Sequence, residues 1–223
     1  LARAGIADPR REAEILLAHV LGLPVWRLYL DRDRRPPAAV IEKFKRLITL
    51  RIERCPPAYI RGSVGFYNLD IAVDRRALIP RPETELLVDR ARNELQTIDS
   101  SGPLVLDLGC GSGAIALALA AEEPDVGIYA SDISPAALEL ARRNARLCRL
   151  EDRVEFRFGD CFQPWNDYTG AFDLIISNPP YLTRRELESA PDEVRRYEPP
   201  IALDGGEDGL TVIKRIVRKS SRY

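Results

Sequence analysis

The sequence has no methionine and a single histidine, His19, among its 223 residues. One histidine in a helix-like apolar stretch, far from every other candidate, argues against Ser-His-Asp or Cys-His catalysis, and we expect His19 to have a packing or surface role. No C-x-x-C pair occurs, so no zinc site and no other metal site is expected. The four cysteines concerned are Cys55, Cys110, Cys148 and Cys161.

Long apolar runs and an excess of one charge are also lacking. No run approaches the roughly 18–20 apolar residues of a membrane helix. Lys and Arg number 33 and Asp and Glu 34, a net charge of −1 that argues against a dedicated nucleic-acid binder. We expect a soluble, cytoplasmic protein with reduced cysteines. Because methionine is missing even at position 1, we expect an incomplete translation product, and a lost organelle-targeting segment stays open.

Three regions of different character follow one another along the chain. Residues 1–55 predict an N-terminal helical domain, with one helix over 11–23 and another that starts after Pro36-Pro37 and runs to about Arg54. Residues 56–80 predict a linker that contains a β-hairpin. The helical region is basic: residues 1–60 hold 12 Lys and Arg against 7 Asp and Glu. This charge fits either a solvated helical face or docking to an acidic partner surface.

The third region, residues 81–223, alternates strands with helices after a helix over about 83–95. Such alternation predicts βαβ units, a parallel sheet and a Rossmann-like α/β domain. The predicted strands are 104–108, 127–131, 154–158 and 172–177, with helices over 114–121 and 135–147 between the first three.

A glycine-rich loop follows the first of these strands and opens a helix. Its glycines allow positive φ and let a ligand touch the backbone, and Asp132 ends the next strand, where a carboxylate can accept both ribose hydroxyls. Gly109, Gly111 and Ala114 also satisfy the dinucleotide pattern. We favour S-adenosylmethionine because Asp107, expected beside the pocket, suits a cationic methionyl group better than a pyrophosphate. The loop residues are Asp107, Gly109, Cys110, Gly111, Ser112 and Gly113.

Two further elements end at the same predicted edge of the sheet. Asp160 follows the third strand and either accepts a proton from an adenine amino group or is a solvated loop residue. The fourth strand runs into Asn178-Pro179-Pro180-Tyr181, whose prolines stiffen the loop. The Asn178 side-chain oxygen and the Pro179 carbonyl can each accept one hydrogen of an –NH₂ group, and Tyr181 can stack on its plane. These residues suit adenine N6, cytosine N4 or a glutamine amide equally.

The sequence resembles the HemK/PrmC family of protein glutamine-N5 methyltransferases over nearly its whole length. The matching segments are Leu78-Ile79-Pro80-Arg81-Pro82-Glu83-Thr84-Glu85, residues 107–113, residues 177–181, and residues 197–199 with 202–210. The resemblance implies S-adenosylmethionine as methyl donor, S-adenosylhomocysteine as product, and the glutamine of a Gly-Gly-Gln motif in class-1 peptide release factors as acceptor.

By the same resemblance, Gly109, Gly111, Gly113 and Asp132 bind the donor, Asn178 to Tyr181 hold the glutamine amide, and the helical domain grips the release factor. Cys161 falls where relatives carry a bulkier side chain near adenine. We expect a monomer that uses no nucleic-acid substrate. The family's sheet has seven strands, so we expect the last three to be absent here. The alternatives are an amino-methyltransferase acting on DNA or RNA bases and a truncated, non-catalytic donor-binding module.

Overall fold

The computed structural model describes residues 1–31, 33 and 35–223, which form two compact units. The first unit contains residues 1–62 and 192–197, and the second contains residues 63–191 and 198–223. Residues 56–62, which we expected in the linker, therefore pack with the helical unit. None of the helices that the structure describes combines the length and the apolar character of a membrane-spanning segment.

The α-helices and β-strands are numbered in chain order. The helices are α1 (Pro9–Leu21), α2 (Val25–Leu30), α3 (Ala38–Ile52), α4 (Pro57–Arg61), α5 (Glu85–Leu95), α6 (Ala114–Glu122), α7 (Pro135–Cys148), α8 (Arg184–Ser189), α9 (Asp192–Tyr197) and α10 (Thr211–Ser220). The strands are β1 (Ser63–Phe66), β2 (Leu69–Ala72), β3 (Leu104–Leu108), β4 (Gly127–Asp132), β5 (Val154–Phe158) and β6 (Leu174–Ser177).

The first unit consists of helices α1 to α4 with α9. The side chain of Asp8 accepts a hydrogen bond from the backbone N–H of Arg11 and caps α1, and Gly22 ends this helix in a left-handed conformation. The guanidinium of Arg51 is buried between the carboxylates of Glu12 and Glu193. Since an unpaired buried cation is costly, this pairing ties α1, α3 and α9 together.

The second unit contains the predicted hairpin and parallel sheet. Strands β1 and β2 are antiparallel, and the larger sheet has the order β5-β4-β3-β6 with every pair parallel. The first and fourth strands of this sheet in chain order, β3 and β6, are neighbours. Strand β6 begins at Leu174 rather than at residue 172, because the Phe172 N–H donates to the Tyr223 carbonyl and not to β3.

Helices cover the sheet and connect it to the hairpin. Every residue of α6 from Ala114 to Ala120 is buried. The side chain of Asn144 in α7 is also fully buried, where it accepts a hydrogen bond from the Ala72 N–H and donates to the Ala72 and Ser112 carbonyls. A single buried amide thus fixes β2 and the glycine-rich loop to α7, with its polar atoms satisfied.

The loops that follow the four parallel strands lie at one edge of the sheet, since parallel strands share their direction. They contain residues 109–113, 133–134, 159–161 and 178–181, and Asp132 is the last residue of β4. An open α/β sheet binds its ligands at this edge, beside the point where the strand order reverses. Here that point lies next to β3.

Candidate active site

The glycine-rich loop turns sharply between β3 and α6. Gly109, Gly111 and Gly113 all have positive φ, 72°, 55° and 83°. At Gly113 space is limiting as well, because a Cβ there would lie 3.2 Å from the Cβ of Ala141 in α7. The loop therefore needs glycine both for its conformation and for its packing. Its exposed backbone faces a cavity of about 410 Å³, within the range typical of ligand sites.

Asp132, at the end of β4, is held beside this loop by backbone hydrogen bonds. Its Oδ2 accepts a hydrogen bond from the Gly111 N–H and its Oδ1 accepts one from the Ser134 N–H, both at 2.8 Å. Burial raises the pKa of Asp132, and these backbone N–H groups oppose the increase. A carboxylate has about four lone-pair sites, so accepting capacity remains for ligand hydroxyls.

Asp107 does not lie beside the pocket, where we expected it from the sequence. Its side chain is 1% exposed and does not line the cavity. Instead its Oδ2 accepts a hydrogen bond from the Ala116 N–H in the first turn of α6, at 3.2 Å. Among the described residues, Oδ1 has no hydrogen-bond partner. Burial raises the pKa of this carboxyl group to about 7. The alternation of side chains along β3 explains the difference, because it directs Asp107 toward the helix.

Asp160 lines the cavity, and it is already paired. Both of its oxygens accept hydrogen bonds from the guanidinium of Arg215 in α10, at 2.6 and 2.7 Å. The same guanidinium donates to the Cys161 Sγ at 3.3 Å. Cys161 has a left-handed backbone with φ of 49°, and burial raises the pKa of its thiol. Asp160 is thus a structured ion-pair partner, with lone pairs left for a further donor.

The Asn178-Pro179-Pro180 segment lines the same cavity as the glycine-rich loop. It is anchored to the sheet, because the hydroxyl of Ser177 donates a 2.6 Å hydrogen bond to the Leu108 carbonyl. The Nδ2 of Asn178 donates to the Thr84 Oγ1 at 3.3 Å. Tyr181 differs from its neighbours: it is 58% exposed and does not line the cavity.

A second glycine-rich segment supports the backbone of Tyr181. A Cβ on Gly205 would lie 2.8 Å from the Tyr181 Cα, and one on Gly209 would come within 2.4 Å of the Tyr181 carbonyl oxygen. The Gly205 N–H also donates to the Leu182 carbonyl at 2.8 Å. The close approach requires glycine at both positions and fixes the path of the chain after Pro180.

Most of the site residues that the sequence predicted meet at this one cavity. Three predicted residues do not line the cavity: Asp107, Tyr181 and Gly113, which is the N-cap residue of α6. The predicted residues that line the cavity are Gly109, Cys110, Gly111, Ser112, Asp132, Asp160, Cys161, Asn178, Pro179 and Pro180. Burial raises the pKa of the Cys110 thiol well above its ordinary value, so a reactive thiolate is not expected.

Several lining residues were not found by sequence reasoning. Thr84 precedes α5, Arg215 lies in α10, and residues 199–202 form a further wall. The matching segment around residues 78–85 was a signal for Thr84, but nothing local indicated its partner. Among the described residues that line the cavity, the two cationic side chains are both neutralised, since Arg76 pairs with Asp74 and Arg215 pairs with Asp160. In the described chain, no group of three or more His, Cys, Asp or Glu residues could hold a metal ion.

Family comparisons agree with both units. The model of the PrmC N-terminal domain matches residues 1–62, and the model of the methyltransferase small domain matches residues 83–193. The release factor glutamine methyltransferase of Chlorobaculum tepidum is 43% identical over 203 residues, which is 89% of this chain and 69% of that protein. Its counterpart in Geobacter sulfurreducens is 40% identical over 223 residues, 100% of this chain and 76% of that protein.

A solved structure supports the fold. The catalytic domain of human METTL16, in complex with the MAT2A 3′UTR hairpin 6, superposes with a TM-score of 0.54 at 19% identity, covering 69% of this chain and 57% of that chain. At that identity the likeness concerns architecture alone. The sequence identity to the bacterial relatives is much higher and extends over both units. The chain therefore belongs to the release factor glutamine methyltransferase family, the HemK/PrmC family.

Proposed function

We propose that the protein transfers a methyl group from S-adenosylmethionine to the side-chain amide nitrogen of the glutamine in the Gly-Gly-Gln motif of a class-1 peptide release factor. The single observation that carries this proposal is one cavity that is lined both by the glycine-rich loop with Asp132 and by Asn178 with Pro179. Family membership supplies the acceptor, because the relatives at about 40% identity are named for methylation of release factor glutamine.

The residues present fit the methyl donor. The loop of positive-φ glycines leaves bare backbone at the cavity wall, and Asp132 keeps lone pairs for the two ribose hydroxyls. Asp160 and Cys161 would lie at the adenine end, where the pairing with Arg215 orients the carboxylate. S-adenosylmethionine, when bound, supplies a methyl group carried on a positively charged sulfur.

The acceptor amide is a poor nucleophile, because its nitrogen lone pair is delocalised into the carbonyl. The Asn178 Oδ1 and the Pro179 carbonyl each accept one hydrogen of the –NH₂ group, which orients the nitrogen and favours its partial pyramidalisation. Pro180 stiffens the segment, and the Ser177 hydroxyl ties it to β3. Such positioning can contribute on the order of 7–11 kcal/mol to lowering a barrier. This mechanism needs no titrating histidine.

In this proposal the first unit binds the release factor. Residues 1–60 carry 12 Lys and Arg against 7 Asp and Glu, so an acidic surface would be attracted. Helix α2 also exposes three large apolar side chains, Trp26, Tyr29 and Leu30. Aromatic and apolar side chains surrounded by charge are typical of protein-binding surfaces.

The test is mass spectrometry of a release factor after incubation with the purified protein and S-adenosylmethionine. We expect a mass increase of one methyl group, localised by fragmentation to the Gly-Gly-Gln glutamine. A release factor with that glutamine replaced by alanine is the matched control and should stay unmodified. Methyl transfer to duplex DNA or RNA instead, or donor binding without transfer to any acceptor, would overturn the proposal.

A further inference from the structure

The hydrogen bond between Asn178 and Thr84 joins two segments that are 94 residues apart in the sequence. The Asn178 Nδ2 donates to the Thr84 Oγ1 at 3.3 Å, and both residues line the cavity. Among the residues that the structure describes, none donates a hydrogen bond to the Asn178 Oδ1. The amide nitrogen of Asn178 is thus engaged by the protein, while its oxygen keeps its accepting capacity.

Orientation of this carboxamide decides whether the site can hold an –NH₂ group. An amide oxygen accepts hydrogen bonds and an amide nitrogen only donates them. If the Asn178 carboxamide were rotated by half a turn, its own N–H groups would oppose those of the acceptor. In the observed orientation the Thr84 hydroxyl accepts from Nδ2, and Oδ1 is left to accept a hydrogen of the acceptor amide.

Thr84 is itself held on both sides. Its backbone N–H donates to the Arg81 carbonyl at 2.9 Å, and the Arg81 guanidinium donates to both oxygens of Glu198 at 2.6 and 2.7 Å. The Glu198 side chain is 2% exposed, which makes this ion pair a fixed point. On the other side, the Glu85 Oε1 accepts a 2.8 Å hydrogen bond from the Tyr67 N–H in the hairpin.

We infer that Thr84 is a positioning residue for methyl transfer, whose hydroxyl holds the Asn178 carboxamide in place through the hydrogen bond to Nδ2. The inference rests on the proposed function, because it concerns the same acceptor. It also gives a role to the segment Arg81-Pro82-Glu83-Thr84-Glu85: Arg81 and Glu85 fix the segment to Glu198 and to the hairpin, and Thr84 acts on Asn178.

The experiment compares Thr84→Val and Thr84→Ser in methyl transfer to a release factor. Valine keeps the shape of the side chain and removes its hydroxyl group. We expect Thr84→Val to lower kcat by about tenfold, the effect of losing one positioning hydrogen bond, while the dissociation constant for S-adenosylmethionine changes by less than about threefold. Thr84→Ser keeps the hydroxyl and should restore most of kcat.

Thr97→Val is the matched control, because it removes a hydroxyl that donates to the Glu94 carbonyl at the end of α5. It should leave kcat unchanged. Equal kcat for Thr84→Val and the unsubstituted protein would overturn the inference, as would equal impairment of the serine and valine variants. A parallel loss of donor affinity and thermal stability would indicate a merely structural role and also overturn it. If the unsubstituted protein methylates no release factor, the proposed function fails instead.

Discussion

Replacement of Asp107 by asparagine should change how the stability of the protein depends on pH. Burial raises the pKa of this carboxyl group to about 7, from the ordinary aspartate value of 3.8. The folded protein therefore keeps a proton that the unfolded chain releases. The pKa of this acid is higher in the folded protein than in the unfolded chain, so the protonated Asp107 carboxyl group adds stability at low pH. That stability is lost as the pH rises toward 7.

The size of the effect follows from this difference in pKa. Over the full titration of Asp107, the free energy of unfolding should fall by about 4 kcal/mol. Of this decrease, about 2.5 kcal/mol falls between about pH 5 and pH 8. Asparagine cannot ionise, and its carbonyl oxygen can still accept the hydrogen bond from the Ala116 N–H. Its amide hydrogens add a cost of burial that does not depend on pH.

The assay is urea denaturation of both proteins at several values of pH. The free energy of unfolding of Asp107→Asn, relative to the unsubstituted protein, should rise by about 2.5 kcal/mol between about pH 5 and pH 8. Asp152→Asn is the control, because Asp152 is exposed. A difference between the two proteins that stays constant over this range would refute the assignment of a raised pKa to Asp107.

The remaining predictions concern the loop and the donor. Asn144→Ala leaves the Ala72 N–H and the Ala72 and Ser112 carbonyls without their buried partner, so it should lower the free energy of unfolding by roughly 2–4 kcal/mol in urea denaturation. The control is Asn68→Ala, at an exposed asparagine, which should cost less than about 1 kcal/mol. Equal losses for the two variants would contradict the role of Asn144. Asp132→Ala should weaken S-adenosylmethionine binding on the order of 10- to 100-fold in calorimetry, because it removes charge-assisted hydrogen bonds. An unchanged dissociation constant would show that Asp132 does not bind the ribose.

Local patterns in the sequence were enough to predict the sheet and the two sides of the cavity. The glycine-rich loop, Asp132 and Asn178 each follow a predicted strand, and parallel strands bring their carboxyl ends to one edge. Helix α2 was missed, because its six residues are too few to show a helical period and Pro24 provides no side-chain cap. The expectation for Asp107 differed from the structure because the sequence motif does not show which way a strand residue points.

Pairings between distant segments could not be predicted from one sequence. Asp160 with Arg215, Glu198 with Arg81, and Asn178 with Thr84 are separated by 55, 117 and 94 residues. Each pair depends on how helices and loops pack on the sheet, which periodicity does not encode. These contacts determine the orientation of side chains in the cavity, and orientation is what the proposed chemistry depends on.

The central claim is that the Asn178 Oδ1 and the Pro179 carbonyl together hold the acceptor amide. The kinetics of Asn178→Ala test this claim most directly. Single-turnover methyl transfer to the release factor should slow on the order of 100-fold or more, because one of the two groups that hold the amide is lost. The dissociation constant for S-adenosylmethionine should change by less than about threefold, since Asp132 and the glycine-rich loop are untouched. A transfer rate equal to that of the unsubstituted protein would contradict the account.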